Sequence, residues 1–219
     1  MVIVLDTETT GLDVRHTAVT EPCSLSHIGS EIIQIGGLIL DEEMQLQKGF
    51  CYFCDCMVAE SPARALSVHN IPMESIRAHI PWVFLEDIVE EHLPFLYDED
   101  LKVIGYNVAF DLNMLRQSLA IHKHFRIPSR AITSLKATGR QSVDVMAFLP
   151  NRRLSQQAEL PELRSKFSKE LSSLTVDTNV PALFDREHSS HNAFHDACDT
   201  YLLFKHLIWK KKLFRGGNR

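Results

Sequence analysis

The sequence predicts an α/β layered fold, and three observations carry that prediction. Short apolar runs bounded by turn residues recur along the chain and read as strands. Segments with apolar residues at helical spacing alternate with them, the pattern of helices laid on a sheet. The first run, Val2 to Leu5, is apolar on both faces, which marks a central strand covered from both sides. With 219 residues, 45% of them hydrophobic, the chain is expected to form one domain over residues 1–209, followed by a basic tail, KKKLFRGGNR, over 210–219.

The elements follow in order. Val2 to Leu5 opens the sheet, and EIIQIGGLIL, residues 31–40, supplies a second strand. Gly49 to Val58 alternates and reads as a third. The polar segment from Asp13 to Ser30 is a long loop between hairpin strands. Ser61-Pro62 marks a helix start, with Ser as cap and Pro at the first helical position. Phe84, Leu85, Ile88, Val89, His92 and Leu93 repeat at helical spacing, so a helix follows Pro81. KVIGYN is the next strand, and a helix from Ala109 carries Asp111 in its first turn. SVDVMAFL gives a last short strand leading into a helix. LPELRSKFSKEL is a further amphipathic helix, and the final one runs from about Ala193 to Trp209.

Composition excludes several classes. No apolar run approaches the roughly 20 residues of a membrane span, and the short run at the start has no basic leader, so no signal peptide is expected. A net charge of -5 excludes a histone-like coating of nucleic acid. Five cysteines without a secretion signal read as reduced thiols in the cytoplasm. Strand alternation puts Cys54 and Cys56 on one face and Cys51 on the other. A zinc site completed by Cys23 and His27 is conceivable, but no second CxxC or HxxxH pairs with these cysteines, and buried thiols are the expectation. The run from Arg116 to Arg140 holds six basic residues and no acid, a solvated face unless a phosphate site lies nearby.

The chemistry concentrates in carboxylates. In DTETTG, Asp6 and Glu8 share one face of the first strand, with Cα atoms about 6.6 Å apart at ~3.3 Å per residue. Two like charges at the end of a buried strand repel and are costly to desolvate. Either both sit in water just beyond the sheet, or a hard cation such as Mg²⁺ or Mn²⁺ neutralises them. Asp111 in NVAFD, by itself, reads as an ordinary acid at a helix N-terminus. In HNAFHDACDT, Asp196 opens a long apolar helix, with Asp199 and Thr200 on an adjoining face.

DTETTG, N-x-x-F-D and H-x-A-x-x-D-A, in this order and across nearly the whole chain, resemble the DEDDh group of 3′-to-5′ exonucleases, which includes the proofreading subunit of bacterial replicative DNA polymerase. The resemblance implies a ribonuclease H-like αβα sandwich with a five-stranded mixed sheet. It implies that Asp6, Glu8, Asp111 and Asp196 hold two divalent cations, Mg²⁺ or Mn²⁺, and that His191 is the catalytic base. His195 with Asp199 competes for that role, but only His191 and Asp196 meet the family spacing His-x4-Asp followed by Ala. Asp144 matches a supporting Asp. The backbone of Thr9, Thr10 and Gly11 is implied to meet the terminal sugar, with Leu12 and Phe110 stacking on the last bases and Asn107 in the substrate site. The implied substrate is the 3′ end of single-stranded DNA, with RNA as the alternative, and docking to a polymerase or another DNA-processing complex is a further implied partnership. Two departures stand out. Tyr106 precedes Asn107 where the family commonly has His, and the connections 13–30 and 151–190 are longer than usual.

Overall fold

The computed structural model describes residues 1–13, 29–57, 62–78, 84–92, 102–125, 142–148, 154–180 and 191–209. Among them, six strands form one mixed sheet in the order β5-β4-β1-β2-β3-β6. β1 (Val2–Thr9) is central, pairing antiparallel with β2 (Ile32–Leu40) and parallel with β4 (Lys102–Gly105). β3 (Leu46–Phe53) continues the meander antiparallel to β2, and β5 (Ser142–Asp144) lies parallel beyond β4.

The double-sided apolarity of β1 is used as expected. Val2 and Val4 join a cluster with Phe194, Ala197, Tyr201 and Leu202 of the last helix, α6 (Ala193–Leu203). Ile3 and Leu5 face the opposite layer, with Leu85, Ile88 and Val89 of α3 (Leu85–His92) and Leu112, Leu115 and Leu119 of α4 (Val108–Phe125). Two apolar layers on one sheet make the αβα sandwich. α1 (Ala63–His69), α2 (Met73–Ala78) and α5 (Leu154–Ser172) complete the helices.

The structure differs from the sequence reading in several places. The sheet has six strands rather than five, because β6 (Val176–Thr178), from the long connection after residue 151, adds parallel to β3. Three half-exposed residues carry no alternation to read. β6 is fastened by Asn179, whose side chain accepts from Phe53 N–H at 2.7 Å and donates to Phe53 O at 3.1 Å. β3 begins earlier than Gly49 and ends at Phe53. Past that end the alternation lapses, so Cys56 packs with the layer of Cys51 and not with Cys54. Pro62 occupies the cap position of α1 rather than its first turn, and Ser61 lies outside the described residues. α5 starts six residues before Leu160 and runs through Pro161. Helix α6 gives way to wider π-type turns over Phe204–Trp209. The loop 14–28, the basic run beyond Phe125 and the tail 210–219 fall outside the described residues. Among the described residues no helix is long and apolar enough to cross a membrane.

One position sets how α6 meets the sheet. A Cβ on Gly36 of β2 would lie 2.4 Å from Phe194 N and 2.5 Å from the Ala193 carbonyl carbon. Only a residue without a side chain lets the helix N-terminus descend this far. Gly36 is the register partner of Asp6. Gly36→Ala is therefore expected to cost about 1–3 kcal/mol by overpacking, read as a lower urea midpoint with unchanged m-value.

Candidate active site

The site is built where β1 runs out of its apolar stretch. Asp6 and Glu8 continue the face of Val2 and Val4, so they point toward α6. Glu8 is buried, and Asp6 keeps partial solvent access. Opposite Glu8 in the register is Gln34, fully buried, whose side-chain oxygen accepts from Ala193 N–H at 3.0 Å. Asn192 caps the same helix, accepting from Phe194 N–H at 3.1 Å and His195 N–H at 3.3 Å. Cap and strand glutamine together fix the first turn of α6 over the two strand acids, and Asp196 lies in that turn.

His191 stands just before this helix with its side chain exposed. Its φ of 65° is left-handed, an uncommon conformation for a residue with a side chain. Its backbone N–H donates to Asp196 Oδ2 at 2.9 Å, which ties the turn back onto the helix. Ligand atoms of Glu8, His191 and Asp196 lie within 4.8 Å of one another.

The remaining acid arrives from the other layer. Asp111 is in the first turn of α4, 3% exposed, and accepts from the Thr7 hydroxyl at 2.8 Å. Thr7 alternates with Asp6 and Glu8 to the opposite face, so β1 anchors Asp111 with one side and offers carboxylates with the other. The turn before α4 has Asn107 at φ 63°, its N–H held by Asp144 Oδ1 at 2.9 Å, which also accepts from Met146 N–H. Asp144 thus holds the backbone of this turn. Asn107 itself is exposed and Phe110 half-buried.

Beyond β1, Thr9 Oγ1 donates to Gly11 O at 2.7 Å, and Thr10 and Glu31 exchange two hydrogen bonds of 2.9 Å. Leu12 projects into solvent at 74% exposure. Asp13 and Ser30 close the neck of the long loop, and Gln117 of α4 donates to the carbonyls of both.

The acids crowd one another. Burial, then the charges of Asp111, Asp196 and Glu8, holds Asp6 well above the usual carboxylate range. Burial, then Asp196 and Asp111, raises Glu8 from 4.5 to about 8. Burial raises Asp111 from 3.8 to about 7, against the hydrogen bond from Thr7. Carboxyls so converged are poorly neutralised by the protein itself. Hard oxygen donors with one imidazole at the edge fit divalent cations of the Mg²⁺ or Mn²⁺ type.

The competing pair is occupied otherwise. His195 is buried, and Asp199 is held by Arg164 of α5. Cys51, Cys54 and Cys198 are buried thiols, and no cysteine enters a metal-capable group among the described residues. Glu91, His92 and Asp177 form a second such group, but Lys48 already stands 3.7 Å from Asp177, and the Tyr52 hydroxyl 3.1 Å from His92 Nε2. Two residues near the site escaped the sequence reading. Gln34 was legible only as one polar residue inside an apolar strand. His69 is buried, accepts from Ile71 N–H at 2.9 Å, and has its pKa lowered by burial and then by His191.

The fold is a ribonuclease H-like αβα sandwich, and the acid and histidine motifs it carries resemble those of the DEDDh exonucleases. The chain matches no protein-family profile. It is similar to the DNA polymerase III ε subunits of Rickettsia conorii (30% identity over 128 residues, 55% of this chain and 45% of the relative) and Rickettsia felis (29% over 132 residues, 57% and 47%). The chain thus spans about half the length of the curated relatives it matches. Among solved structures, E. coli exonuclease I with a dA16 oligonucleotide superposes at a TM-score of 0.56, with 14% identity, over 99% of this chain and 43% of the other. The zinc-bound exonuclease I complex with single-stranded DNA gives 0.55, at 17% identity, over 98% and 42%. These likenesses bear out the resemblance to the DEDDh group and the ribonuclease H-like fold.

The raised carboxyls predict a pH dependence. Their folded pKa values exceed the unfolded ones, so the folded protein binds more protons between about pH 4 and 8 and loses stability as pH rises through that window. The melting temperature of metal-free protein is expected to fall from pH 5 to pH 8, and added Mn²⁺ to reverse most of the fall.

Proposed function

We propose that this chain is a divalent-metal-dependent 3′-to-5′ exonuclease that releases nucleoside 5′-monophosphates from single-stranded DNA ends. The observation that carries the reading is the convergence of Asp6, Glu8, Asp196 and His191 at one end of β1, with Asp111 brought in by Thr7. The structural neighbours support it: exonuclease I has been solved with oligonucleotides, and in one case with zinc. We take residues 1–209 as one exonuclease domain, with 210–219 a basic tail. Buried thiols and the ε-subunit likeness suit a cytoplasmic protein. The same likeness favours a second reading of partners, in which the chain works docked to a polymerase.

Asp6, Glu8, Asp111 and Asp196 would hold two cations. Bound there, these would supply Lewis acidity toward the attacking water and offset charge on the leaving 3′ oxygen. The imidazole of His191 accepts the proton of the attacking water. Its exposure and its perch before α6 leave it free to meet that water from the solvent side. Backbone groups of Thr9, Thr10 and Gly11 meet the terminal sugar, Leu12 and Phe110 stack on the last bases, and Asn107 lines the entry to α4.

A 5′-labelled oligonucleotide with Mg²⁺ or Mn²⁺ is expected to shorten from its 3′ end one nucleotide at a time. Asp6→Ala is expected to abolish shortening while leaving end binding, and His191→Ala to slow it by about 10²–10⁴-fold. No mononucleotide from folded protein with metal present would overturn the reading. Preference for a 3′-terminal ribonucleotide would redirect it to RNA.

A further inference from the structure

Helix α5 belongs to the long connection that the motif pattern leaves unassigned, yet it reaches toward the site. Leu160 and Leu163 are buried in the layer of Cys198 and Leu202 from α6. Between them and the cluster, Arg164 meets Asp199 end to end: Nε donates to Oδ1 at 2.8 Å, and the second nitrogen donates to Oδ2. This is the two-point geometry of a bidentate guanidinium–carboxylate pair.

Asp199 lies three residues after Asp196, so the two are neighbours on the surface of α6. It is 8% exposed. Arg164 is stabilised by Asp199 first and by Asp196 among its lesser partners, so α5 supplies a cation to the turn of α6 that carries Asp196.

We propose that Arg164 is a positioning residue for the reaction: by gripping Asp199 it fixes the turn of α6 that carries Asp196. The inference rests on the exonuclease reading above and deepens it. Asp199 is then a handle and not a ligand, and the connection carrying α5 is part of the active site's support.

The test compares R164M, D199N and the double variant R164M/D199N as full-length proteins. Mn²⁺ binding is followed by calorimetry and 3′ shortening by its dependence on Mn²⁺ concentration. R164M is expected to lose about 10–100-fold in kcat and to show an altered Mn²⁺ affinity or stoichiometry. D199N is expected to lose about as much as R164M, and the double variant no more than either, since both changes release the same contact. Single variants that keep the Mn²⁺ binding and kcat of the unaltered protein, or losses that add in the double variant, would overturn the proposal. A Mn²⁺ ion lost from D199N and not from R164M would overturn it as well, by making Asp199 a ligand; D199N alone tests the contact if R164M does not fold. Intact Mn²⁺ binding without any shortening by the unaltered protein would instead sink the exonuclease reading, and the calorimetric comparison would still judge the pair.

Discussion

The cost of gathering carboxylates in a protein interior is the constraint around which this structure is organised. Burial first, and neighbouring charge second, raises the pKa values of these acids, which makes them an unfavourable thing to collect at the end of a core strand. The fold meets the cost with rigidity. Apolar residues on both faces of β1 bury it between two helical layers, and each layer delivers one acid at a helix N-terminus. There the partial positive charge of the helix end favours the anion. The acids come together because the hydrophobic layers leave them no other arrangement.

Anchorage is correspondingly dense around the cluster. The last helix is pinned by Gln34, capped by Asn192, lowered by Gly36 and gripped from outside by Arg164. The α4 turn is held by Asp144 and Thr7. Few of these contacts involve the residues that would touch a substrate. A carboxylate displaced by an ångström changes which ions it can share, so the precision resides in neighbours whose own side chains do no chemistry.

What could be read from the sequence follows a physical division. The apolar run of β1, the helical spacing around Ile88 and the alternation of strands with helices are written locally, and the sandwich could be drawn from them. The acids of the site were legible because three motifs share one resemblance and because Asp6 and Glu8 share a strand face. Other features are written nowhere local. β6 is three residues long and owes its place to a parallel partner more than a hundred positions earlier. The pairing of Arg164 with Asp199 depends on two helices meeting at one level, which no periodicity announces. The faces of Cys54 and Cys56 were misread because alternation was carried past the end of β3, where the pleat no longer operates.

The neck at Asp13 and Ser30 has a consequence of its own. Its two strands of chain are bonded to each other and clamped by Gln117, itself set in the middle of α4. Chain leaving at Asp13 and returning at Ser30 therefore starts and ends at one fixed place beside the ends of β1 and β2, so a change of length between them does not by itself move the strand that carries Asp6 and Glu8.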